Sequence, residues 1–259
     1  MKTLYKKSVG GTWVGMGILA TAINLHAQVI SWDIGDNNII TGGSQFAGIV
    51  SEAYWNNTYS ENGNATGSTV VNQNLTDSSG ATTAVSVTQL ASQNSYNYWA
   101  INFTTPGQDA DGTYNRNLLN GYQNDGATVA PYTSGITISN INFTKFDLYV
   151  YFSSDTAGRI GNVTDGATTY FFTTIGPAET SGANALFTQT TETSSLNNPA
   201  ADYAVFRGLT DNTESIYVTV PGFGGIAGFQ IVPTPEPSSL ALAGVGLALV
   251  GLRRFGRGR

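Results

Sequence analysis

Along much of the chain apolar and polar residues alternate in short runs separated by Asn, Asp, Gly and Pro, the period of strands that bury one face. The segment Val29–Ile34 opens a sheet, and Ala84–Leu90 alternates around Val85 and Val87. Tyr98–Phe103 is aromatic and β-branched, which suits a strand. In Lys145–Phe152 the pattern is clearest: Phe146, Leu148, Val150 and Phe152 fall on one face, and Asp147, Tyr149 and Tyr151 on the other. Asn162–Phe172 predicts a hairpin, with Asp165-Gly166 as a tight two-residue turn. Ser215–Val220 alternates again after the turn-forming pair Asp211-Asn212, and Gly225–Val232 forms a last strand. Only Tyr114–Tyr122 suggests a short helix. Many short strands at this spacing predict an all-β fold: a single β-sandwich of jelly-roll type over residues 28–232.

The two ends follow different patterns. Lys2, Lys6 and Lys7 precede an apolar stretch around Val14–Ala22 and the small-residue end Leu25-His26-Ala27. This order predicts a secretory signal peptide over residues 1–27, passed by the Sec translocon and cut by signal peptidase between Ala27 and Gln28. The alternative is an uncleaved anchor, for which the glycine-interrupted apolar run is a poor membrane span. At the other end, residues 233–259 hold Pro235-Glu236-Pro237, then an apolar transmembrane helix over Leu240–Leu252, then Arg253 and Arg254. The arginines stay on the cytoplasmic side, which places the body outside and makes the segment a small C-terminal anchor.

Pro-Glu-Pro, a short apolar helix and a terminal arginine cluster, in that order, resemble the PEP-CTERM sorting signal of diderm bacteria. The resemblance implies recognition by exosortase, a membrane-embedded transpeptidase-like protease that removes the tail. It assigns Pro235, Glu236 and Pro237 to the recognition motif and Arg253 and Arg254 to the stop. The body resembles a family of exported planctomycete and verrucomicrobial proteins. The matching phrases include Phe46–Val50 with Trp55-Asn56-Asn57, Leu75–Gly80, Leu118–Tyr122, Asp147–Phe152, Gly158-Arg159 and Gly225–Val232. Such proteins look like galactose-binding-type β-sandwiches, a fold shared by many sugar-binding modules; fold alone does not establish sugar binding.

Composition narrows the chemistry. The chain has no cysteine, and its one histidine, His26, lies within the predicted signal peptide. A mature protein without Cys or His has no thiolate zinc site, cysteine nucleophile or Ser-His-Asp triad. Carboxylates, Lys145, tyrosines and hydroxyls remain. Seven of the eleven basic residues sit at the ends, so the body holds four against sixteen acids, a net charge of about −12. A surface that acidic repels phosphate backbones, and no nucleic-acid partner is expected.

Asp109-Ala110-Asp111-Gly112 resembles the start of an oxygen-rich calcium loop. Thr113 and Tyr114 stand where an EF-hand wants Asp or Asn and then Gly, so the reading is an acidic turn, with a looser Ca²⁺ site at Asp109 and Asp111 as the alternative. No other cofactor is expected. Trp55, Trp99, Tyr122, Tyr149 and Tyr151 offer flat faces for sugar rings, although core anchoring is the ordinary use of both tryptophans. The candidate ligand contacts are Tyr149, Tyr151 and Arg159. Together these features predict a non-enzymatic surface or matrix protein that is exported, transiently held in the inner membrane and released to the cell surface. The alternatives are a module binding extracellular polysaccharide and a carboxylate glycoside hydrolase, since paired carboxylates can hydrolyse glycosides without His or Cys.

Overall fold

The computed structural model describes residues 28–34, 40–41, 43–58, 69–90, 107–123, 133–176 and 187–234. Strands form where β-branched and aromatic residues alternate with small polar ones: β1 (Ile30–Ile34), β2 (Trp55–Thr58), β3 (Thr69–Asn72), β4 (Ser86–Gln89), β5 (Thr133–Ser139) and β6 (Phe146–Ser154). After them come β7 (Ile160–Thr164), β8 (Thr169–Thr174), β9 (Ala200–Ala201), β10 (Tyr203–Leu209), β11 (Glu214–Thr219) and β12 (Gly224–Pro233). The one helix among the described residues, α1 (Asn115–Leu119), lies inside the predicted Tyr114–Tyr122. The predicted strand Tyr98–Phe103 lies outside the described residues, as does the apolar segment Leu240–Leu252. Among the described residues no helix is long and apolar enough to cross a membrane.

The strands form two sheets, each mostly antiparallel with one parallel pair. One has the order β10-β6-β12-β1-β2 and the other β3-β4-β5-β11-β7-β8-β9. Ile30, Trp32 and Ile34 of β1 and Phe146, Leu148, Val150 and Phe152 of β6 point to one side. There they meet Val87, Ile136, Ile138, Val163, Phe172, Ile216 and Val218 of the second sheet in one continuous core. The Phe152 and Phe172 rings stack across it, with centroids 3.8 Å apart. The last strand, β12, is central: it pairs with β1 on one side and along its whole length with β6 on the other.

Two features depart from the sequence expectation. The hairpin over Asn162–Phe172 forms, but Thr164 pairs with Thr169, so its loop is the four residues Asp165–Thr168 rather than a two-residue turn. The Asp165 carboxylate accepts from the backbone N–H groups of Ala167 and Thr168, and this side-chain cap favours the wider loop. The outer face of the five-stranded sheet is also covered. β1 and the last five residues of β6 are buried on both sides, because Phe46–Trp55 and the segment around α1 form a smaller second core. Ile40, Ala47, Trp55, Leu118 and Leu119 pack there against Tyr151, Tyr203, Val205 and Ala227.

Candidate functional site

The covered face carries most of the residues that the sequence offers for ligand binding. Tyr149 and Tyr151 leave β6 away from the main core, as their register requires. Tyr151 is fully buried, however, and Tyr149 is half-buried against the second core. The two candidates therefore separate: the covering segments remove Tyr151 from contact with any external ring, while Tyr149 keeps part of its surface exposed. The Tyr151 ring lies 5.1 Å from Phe187 and 6.3 Å from Trp55, centroid to centroid. Its hydroxyl donates to Gln230 Oε1 at 2.6 Å and accepts from the Ile49 N–H at 2.8 Å. Burial holds that phenol well above its ordinary pKa.

Gln230 completes the attachment. Its amide nitrogen donates to the Val50 carbonyl at 2.7 Å and to Ser31 Oγ at 3.1 Å. Gly48 passes so close that a Cβ there would lie 2.5 Å from Gln230 Oε1, and its φ of +91° suits glycine. The turn Gly48–Val50 is thus pinned to the sheet by two side chains from adjacent strands. Trp55 and Tyr122, also considered for stacking, are buried anchors, and Trp99 lies outside the described residues.

Under the same cover lies Asp33, which the sequence pattern does not single out. It is fully buried, and neither carboxyl oxygen has a hydrogen-bond partner. Desolvation raises its pKa well above the usual carboxylate range, opposed only by its own backbone. Asp202, at the head of β10, is raised to about 7 by burial, even though it accepts from the Thr188 N–H at 2.8 Å. Glu214, at the head of β11, is raised to about 7 by burial and by the charges of Asp211 and Asp165. The only sequence sign for Asp33 is an acid alternating with Ile and Trp, which reads equally well as a solvent-facing position.

Arg159 does not join the tyrosines. It turns to the connection between β11 and β12, where its guanidinium pairs with Asp155 at 2.7 Å and donates to the Pro221 carbonyl. Its charge is met internally, and a sulfate- or carboxylate-type ligand would have to displace Asp155. Tyr122 is buried near this pair; burial first, and the Asp155 charge second, push its phenol up, with Arg159 opposing.

In the acidic turn, Asp109 is buried against Arg116, forming an ion pair with its Nε and accepting from its backbone N–H at 3.2 Å. Asp111 is exposed and accepts from the Thr113 backbone and hydroxyl, which lower its pKa. The two carboxylates therefore already hold internal donors. Among the described residues no group of three or more His, Cys, Asp or Glu could hold a metal ion.

At the C-terminal end, β12 continues until Pro233 opposite Phe146, and the Thr234 N–H donates to the Lys145 carbonyl at 2.9 Å. Gln28 stands exposed just before β1, while Ala27, Pro235, Glu236, Pro237, Arg253 and Arg254 lie outside the described residues. Residues 233–254 match the PEP-CTERM protein-sorting motif. The motif implies an exported protein that exosortase sorts and processes, with a membrane-anchor type of signal. No curated protein matches the chain.

Proposed function

We propose that this is a non-enzymatic protein of the cell surface or extracellular matrix, exported through the Sec translocon and freed from its signal peptide after Ala27. Exosortase then removes the tail. The observation that carries this reading is the position of the motif: it starts at Pro233, where the central strand ends, so the tail can be lost without taking a strand from the sheet. The same proposal takes the two facing sheets for a jelly-roll sandwich of galactose-binding type. A non-enzymatic role is supported by the use of the carboxylates. Asp109, Asp147 and Asp155 form ion pairs with Arg116, Arg207 and Arg159, and Asp33 is sealed from solvent. Asp202, in the bend between β9 and β10, and Glu214, at the head of β11, have pKa values that suit acid catalysis, but neither carboxylate is among the causes of the other's shift, as a coupled catalytic pair would require.

Fractionation of the native host with and without its exosortase gene tests the reading. The expected result is release of tail-free protein in the parent and a membrane-bound precursor in the deletion strain. Equal release in both strains would contradict it. Polysaccharide turnover by the purified protein would overturn the non-enzymatic assignment.

A further inference from the structure

The outer face of the seven-stranded sheet differs from the rest of the molecule. Along β4, β5, β11, β7 and β8 the core-facing side chains are mostly apolar, and the alternate positions point outward. Every outward side chain on these strands is Ser, Thr, Asn, Gly, Tyr, Phe or Ile; none is charged, in a body of net charge about −12. The registers align these positions in rows, as with Thr88, Thr137 and Ser215 across three strands. The Thr137 and Ser215 hydroxyls are 3.0 Å apart, and Thr169 Oγ1 donates to Thr164 Oγ1 at 3.0 Å on the same face. Tyr217, 36% exposed, lies along Gly135 on the neighbouring strand, where a Cβ would meet its ring at 3.0 Å. Without a Cβ at Gly135 the Cδ1–Cε1 edge of the ring has room to lie over that strand, beside Leu90. Ile160, 59% exposed, adds an apolar edge.

We infer that this face binds a neutral polysaccharide of the extracellular matrix, with the Tyr217 ring as stacking platform and the hydroxyl rows as hydrogen-bond partners. The inference rests on the extracellular reading above. Sugar rings present apolar faces and hydroxyl edges, which this face matches in kind. The body's net charge of about −12 disfavours polyanions, and the uncharged face suits the approach of a neutral chain. Rows about 4.8 Å apart across strands, with side chains every ~6–7 Å along them, give an extended polymer repeated contacts. A second copy of the protein fits less well, because interface cores favour Tyr, Trp, Met and Arg and are poor in serine.

The test is retention of the full chain on microcrystalline cellulose, dextran and galactomannan, with alginate as the anionic control. At least one neutral polymer should bind, and binding should persist at about 0.5 M salt, where exposed ionic contacts are screened. Tyr217→Ala should weaken it about tenfold or more, while Tyr217→Phe, which keeps the ring, stays within about threefold. Unchanged melting temperatures of both variants separate loss of contact from loss of fold. Absence of binding to all three neutral polymers, preference for alginate, or full binding by Tyr217→Ala would overturn the inference. So would a concentration-dependent dimer abolished by Tyr217→Ala, which would make the face a contact between copies. Exosortase-dependent processing without glycan retention would leave the sorting reading standing and remove this one.

Discussion

Asp33 gives the folded protein a pH dependence opposite to that of a salt-bridged carboxylate. Its pKa is raised on folding, so the stability associated with it is complete below about pH 4, the ordinary carboxylate value, and is lost as pH rises toward the folded value. Asp202 and Glu214 act in the same direction, with folded values of about 7. The protein should therefore melt at a lower temperature at pH 8 than at pH 5, and Asp33→Asn should recover part of the difference. At a sealed carboxyl such as Asp33, each tenfold change in proton affinity on folding corresponds to about 1.4 kcal/mol, and about 2–4 °C per kcal/mol is expected for a body of this size. Melting curves at the two pH values check this; a higher melting temperature at pH 8 would count against a neutral, sealed Asp33. At Asp109 the expectation is different. Asp109→Ala leaves Arg116 buried without its counter-charge, at a cost of about 3–5 kcal/mol, whereas a chelator should hardly move the melting temperature. A large calcium-dependent rise would show that the turn opens to hold a cation.

Among the elements, the turn Gly48–Val50 and the β6–β8 core contact should respond on different scales. Tyr151→Phe removes the acceptor of the Ile49 N–H, so amide exchange should quicken at Ile49 and its neighbours while the sheets stay protected. Phe152→Ala empties a stacked position between the two sheets and should cost about 3–5 kcal/mol globally, measured by denaturant unfolding. The same contrast explains what the sequence reveals. β1, β4, β6, β11 and β12 are legible because each places apolar residues over a core that both sheets share. β2, β5 and β10 are not: Trp55-Asn56-Asn57-Thr58 is mostly polar, β5 is interrupted by Gly135, and β10 buries its first four residues without alternation. The burial of Tyr151 is hidden for a related reason. Alternation shows which side of a strand a residue takes, but not whether a distant segment such as Phe46–Trp55 returns to cover that side. Gln230 lies within an apolar run, and nothing local marks it as the anchor of that cover.

For the whole molecule, the address is legible and the partner of the body is not. A sorting tail acts through contiguous residues, so Pro-Glu-Pro, the apolar run and the arginines can be recognised in order. A binding face assembled from five strands has no such continuity, and its uncharged character emerges only once register places Thr88, Thr137 and Ser215 side by side. The body also limits where the tail can be cut. Pro233 and Thr234 are held alongside β6, and a protease would have to unzip a central strand to cleave before them. Glu236→Ala should block tail removal and leave export intact, read as a membrane-bound precursor on fractionation. The most direct measurement is the intact mass of the protein released by its native host. A C-terminus beyond Thr234 but before Leu240 is predicted; released protein that still ends at Arg259 would contradict the account.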